Sequence, residues 1–100
     1  MIKIEDILKK INMPASYMKF REEIKPPFIV YFSSGSENFV ADNKVYHSEY
    51  NYVIEYYFTK KSREEEMLIE QTFNEEETVW TKSEDIYIQS EDMYLIRYYI

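Results

Sequence analysis

Apolar residues in the first dozen positions fall at Ile4, Ile7, Leu8 and Ile11, the spacing of one face of a helix. Glu5 and Asp6 at its start and Lys9 and Lys10 at its end complement the macrodipole, so the pattern predicts an amphipathic helix over residues 3–12. Asn12 is a stop residue and Pro14 bars continuation. Residues 13–25 then read as a connector, with Tyr17, Met18 and Phe20 expected to cover one edge of the core. Pro26 and Pro27 impose an extended entry to the apolar run Phe28-Ile29-Val30-Tyr31-Phe32, the first expected strand.

The pattern breaks at Ser33-Ser34-Gly35-Ser36-Glu37-Asn38, a cluster of turn-forming residues that predicts a loop or bent hairpin with Phe39 at its centre. The segment Ser33 to Lys44 is expected to project from the sheet. From Tyr50 the residues Tyr50, Tyr52, Ile54, Tyr56 and Phe58 alternate with Asn51, Val53, Glu55 and Tyr57, which is strand periodicity with Ile54, Tyr56 and Phe58 facing the core. Ser62 and Glu65 form a capping box ahead of a second helix over residues 63–75, whose apolar stripe is Leu68, Ile69, Thr72 and Phe73. Two strands close the chain, Asp85 to Gln89 and Met93 to Ile100, with Trp80 in a short extended piece before them. The last is expected at a sheet edge, where a strand invites pairing between chains.

This sequence predicts an α+β fold: one domain over residues 1–100, an antiparallel sheet of about four strands, and two helices packed on one face in the order helix, strands, helix, strands. One hundred residues allow one core that buries roughly 60–70% of the unfolded surface. No cysteine is present, which excludes disulfides, thiolate metal clusters and a thiol nucleophile, and makes a reducing cytoplasm the natural place of synthesis. The longest apolar run is the five residues Phe28 to Phe32, far short of a membrane span, and the N-terminus is no secretion signal, so no membrane partner is expected. A net charge of −7 argues against a nucleic-acid surface. The 11 tyrosines stand out, since Tyr both favours half-buried strands and recurs at protein interfaces.

Candidate chemistry is sparse. Gly35 is the single glycine, too few for a phosphate-cradling loop. His47 is the sole imidazole, and its neighbours Ser48 and Glu49 point to different sides of any strand. Glu64-Glu65-Glu66 and Glu75-Glu76-Glu77 lack the alternating oxygen ligands and glycine of a calcium loop and read as water-facing helix surface. The expectation is a non-enzyme without metal or cofactor. The segment Phe39-Val40-Ala41-Asp42-Asn43-Lys44-Val45-Tyr46 instead places apolar side chains in loop-like sequence, and Phe39, Asp42, Asn43 and Tyr46 are the candidate protein-interface residues.

The wording Met13-Pro14, Pro26-Pro27-Phe28-Ile29-Val30-Tyr31, Asp42-Asn43-Lys44-Val45-Tyr46, Asn51-Tyr52 and Ser90-Glu91-Asp92-Met93-Tyr94, with the Glu-rich second helix, resembles a family of small tail-completion or tail-terminator-type proteins. These are encoded by long-tailed phages and prophages of Gram-positive bacteria. The resemblance implies a structural role in tail completion or head–tail joining. Its implied partners are other copies of the chain in a ring, the tail-tube protein and the head–tail connector. It places the chain in the host cytoplasm during assembly and then in the virion tail. The alternative is an acidic inhibitor or immunity-type protein that covers a basic protein surface.

Overall fold

Helix α1 (Ile4–Ile11) forms where the spacing predicts it, and Ile4, Ile7, Leu8 and Ile11 are all buried. Asn12 follows with φ 57°, the left-handed conformation that Asn tolerates at a helix end, and its N–H still reaches the Leu8 carbonyl at 3.3 Å. The computed structural model describes residues 4–41 and 44–100, with the side chains of all of these outside residues 36–50.

The remaining elements are β1 (Ala15–Tyr17), β2 (Phe28–Ala41), β3 (Lys44–Phe58), α2 (Arg63–Glu75), β4 (Thr81–Lys82), β5 (Ile86–Ile88) and β6 (Met93–Tyr99). The class is α+β, but the sheet has six strands and is mixed instead of four and antiparallel. Its order is β1-β2-β3-β6-β4, with β5 also on β6. The departures have local causes. β1 arises inside the expected connector and pairs parallel with β2, Ala15 opposite Ile29. The segment expected as a loop is strand, because β2 and β3 stay paired, with two register shifts, from Phe28 opposite Tyr57 to Ala41 opposite Lys44. The closing strand β6 is interior, flanked by β3 on one side and by β4 and β5 on the other.

Strand alternation then sorts the central strands into two faces. Ile29, Ile54, Tyr56, Phe58, Ile96 and Tyr98 form one buried cluster with the four apolar residues of α1 and with Ile69 and Phe73 of α2, so both helices cover the same face. Ile54, Tyr56 and Phe58 are 0%, 0% and 2% exposed, as their alternation requires. Two expectations fail nearby. Tyr17, the last residue of β1, and Met18, which follows it with φ 66°, are exposed and leave the core edge to Met13 and Ala15. Leu68 is also exposed, and the buried stripe of α2 is Glu66, Ile69, Thr72 and Phe73.

Candidate functional site

Two adjoining features distinguish this molecule: a ribbon that outruns its sheet, and a sheet face without a helix. β1 accompanies β2 only as far as Tyr31, and β6 accompanies β3 only from Val53. One further rung joins Tyr52 to Ile100, with N–H to carbonyl distances of 3.1 and 3.0 Å in the two directions. Beyond that point, from Gly35 opposite Asn51 to Ala41 opposite Lys44, the chain is a two-stranded arm. Seven residues of β2 and eight of β3 project it by about 20 Å. The molecule accordingly measures 51 × 27 × 24 Å, with a radius of gyration of 15.0 Å, against about 13 Å for a compact chain of this length.

The turn-forming residues act as bends. A register shift separates Ser33 from Gly35, and Gly35 has φ 125°, a conformation that a side chain disfavours, although a Cβ there would meet no neighbouring atom. A second shift follows Phe39, which pairs with His47 while Val40 pairs with Val45, so Tyr46 is the inserted residue. The arm thus carries Phe39 on β2 and Tyr46 on β3, beside the second bulge. Asp42 and Asn43, the other two candidates, lie outside the described residues.

The face opposite the helices was not singled out by its sequence. Alternation and register place Phe28, Val30 and Phe32 of β2, Val53, Glu55 and Tyr57 of β3, and Leu95, Arg97 and Tyr99 of β6 on it together. Phe20 meets Phe28 edge-on at 5.3 Å, and Phe28 stacks on Tyr57 at 4.9 Å. At the centre, buried Glu55 accepts from Tyr57 Oη at 3.0 Å and from Arg97 Nε at 2.9 Å. Burial, and then the Glu55 carboxylate, push the Tyr57 phenol up to about 12. The hydrogen bond to Glu55 holds Arg97 firmly charged. Its side chain is 40% exposed, and among the described residues its two terminal amino groups meet no acceptor. An aromatic surface around an outward guanidinium is the composition of interface hot spots. The Glu55 and Arg97 signal was present in the alternation, but only the register brings them opposite each other.

The acidic helix differs from the expected solvated surface. Glu64, Glu75 and Glu77 are exposed, but Glu65, Glu66 and Glu70 turn toward the sheet. Tyr56 Oη donates to Glu65 at 2.5 Å and Tyr98 Oη to Glu70 at 2.8 Å. Burial, then these carboxylates, raise both phenols. Glu66, 6% exposed, is bracketed by the ammonium groups of Lys61 at 2.9 Å and Lys82 at 3.3 Å. The Lys61 approach to Oε2 is too oblique for a hydrogen bond, so that contact is an ion pair only. The reason for the inward turn is partner supply: two phenols and two lysines surround three carboxylates at the helix–sheet seam. Capping is half formed, since Ser62 Oγ accepts from Glu65 N–H at 3.2 Å while the Glu65 carboxylate serves Tyr56 instead of returning to the cap.

Open recesses lie beside the first turn of α2, lined by Phe58, Lys60, Lys61 and Arg63, and between α1 and β1, lined by Leu8, Met13, Ala15 and Tyr31. Neither gathers a nucleophile with a base. Among the described residues no group of three or more His, Cys, Asp or Glu could hold a metal ion, and no helix is long and apolar enough to cross a membrane. No protein-family model, curated protein or solved structure matches this chain.

Proposed function

We propose that this chain is a structural phage tail-assembly protein, acting in tail completion, tail termination or head–tail joining through ring-forming contacts between subunits. The observation that carries the reading is the two-stranded arm, which extends Phe39 and Tyr46, two of the four candidate residues, beyond the sheet. An isolated ribbon is at best marginally stable in water, so an arm of this length is suited to being covered by another subunit. Each of its strands also presents an unpaired edge among the described residues, the natural site for strand addition. The sequence resemblance supplies the phage context: tail-tube and connector proteins as partners, assembly in the host cytoplasm, and a final place in the virion tail.

Ring closure by identical subunits needs a heterologous contact, in which one surface of a subunit meets a different surface of the next. An arm and a sheet face are two such surfaces. The net charge of −7 suits a ring that lets DNA pass without binding it. The inhibitor reading draws on the same charge. It is weakened because Glu55, Glu65, Glu66 and Glu70 are engaged within the fold and are not free to mimic an acidic ligand.

Cryo-electron microscopy of particles from the encoding phage tests the proposal. The expected result is density for this chain as a ring at the head-proximal end of the tail. Complete particles that lack the chain would refute it.

A further inference from the structure

We infer that the helix-free face of the sheet, centred on Arg97, is the receptor for the arm of a second copy of this chain. The inference rests on the ring-forming reading above and names the two surfaces that meet.

Three observations select this occupant. The first is geometric. The arm continues β2 and β3 themselves, so it leaves its own face along the strand direction, and the 51 Å long axis shows that it does not fold back. A copy's arm therefore cannot reach its own face and is free to meet that of another copy.

The second is charge. Residues 35–51 carry Glu37, Asp42 and Glu49 against Lys44, a net acidic ribbon, and the register sets Glu37 directly opposite Glu49. Like charges at one rung destabilise a ribbon on its own. Among the described residues Arg97 holds Glu55 through Nε alone, which leaves the two terminal amino groups of its fork for a carboxylate arriving from outside. The acidic residues of the arm and the guanidinium on the face are opposite in charge, so the two surfaces attract.

The third is size. The face spans Phe28 to Phe32 across β2, β3 and β6, about 16 Å by about 10 Å, and a two-stranded ribbon about 20 Å long and about 10 Å wide lies across it. That footprint, about 160 Å², is small beside the roughly 800 Å² per partner of a stable pair. One contact is consequently weak. In a closed ring each subunit gives one arm and receives one, and closure makes the last contact intramolecular. The chain is thus a monomer when dilute and assembles where tail partners concentrate it.

The test uses the full-length chain and two variants, each disabled on one surface only. Glu37→Lys with Glu49→Lys reverses the arm and leaves the face intact. Tyr99→Asp alters the face at a residue that is 45% exposed and leaves the arm intact; Phe32→Asp is the substitute should that variant fail to fold by circular dichroism. Sedimentation velocity from micromolar to millimolar concentration should show reversible association of the wild type, weakened at least tenfold in either variant. An equimolar mixture of the two variants should form a heterodimer that grows no further, because one retains only a face and the other only an arm. Nitrogen-15 shift mapping on the arm-reversed chain, titrated with its unlabelled partner variant, should move the amides of Phe28, Phe32, Tyr57, Arg97 and Tyr99. A wild type monomeric throughout, a tight concentration-independent dimer, variants that associate like the wild type, or shifts confined to the helix side would each overturn the inference. Particles that contain the chain would in that case still uphold the tail role. Conversely, the expected heterodimer together with particles lacking the chain would uphold the contact and sink the tail role.

Discussion

Replacing Ile54 with Ala removes three carbons from a side chain with no exposed surface, held between Tyr31 of β2 and Tyr98 of β6 in the register of the sheet. Transfer of those carbons to water costs about 2.4 kcal/mol at about 0.8 kcal/mol per methylene. The cavity left behind raises the total into the range of about 2–5 kcal/mol. Surrounding rings limit collapse of the site, since Tyr56, Phe58 and Tyr98 are themselves fully packed. A loss of about 3.5 kcal/mol, with an unfolding entropy of about 0.2 kcal/mol/K for a chain of this length, lowers the melting temperature by about 15 °C. Its neighbour Val53 provides the internal control, because it points to the opposite face and lies outside the main cluster. Val53→Ala removes two carbons and should cost about 1.5 kcal/mol, or about 7 °C. Differential scanning calorimetry and urea titration of the three proteins measure both values. An Ile54→Ala protein that melts within a few degrees of the wild type, or above Val53→Ala, would show that the two faces had been exchanged.

Phe39→Ser, in the arm, should leave the melting temperature nearly unchanged and reduce the yield of infectious particles; outright unfolding would place Phe39 in a core, and normal yield would remove the proposed contact. Ser62→Ala removes the side-chain acceptor of the Glu65 N–H and should cost about 0.5–2 kcal/mol by thermal melting, whereas an unchanged melting temperature would mean that solvent caps α2 equally well. Stability should fall in alkali: the Tyr57 phenol is raised to about 12 in the fold, so its contribution is complete below the ordinary phenol value of about 10 and is lost as pH climbs from there toward 12. Tyr56 and Tyr98 are raised as well and act in the same direction. Urea midpoints that stay constant across that interval would contradict the coupling.

Much of the fold was legible in local pattern. The four apolar positions of α1, the alternation of Ile54, Tyr56 and Phe58, and the Ser62 cap each report an interaction within a few residues, and each lies where its spacing places it. Periodicity carries this information because burial on one face of a helix or strand repeats with the geometry of the backbone. Other features depend on partners distant in the chain. The turn-forming residues from Ser33 to Asn38 mark one bulge within a paired ribbon, since cross-strand pairing with residues 48–52 outweighs their local preference. Glu65, Glu66 and Glu70 look like solvated helix surface until Tyr56, Tyr98, Lys61 and Lys82 are brought against them. Likewise, 42 residues separate Glu55 from Arg97. Preferences for helix, strand and core can be read along the chain, because backbone periodicity and hydrophobicity set them. Which strand became interior, which carboxylates gained partners, and which sheet face was left without a helix depend on register and on contacts between segments far apart in the chain, so they emerge only on folding.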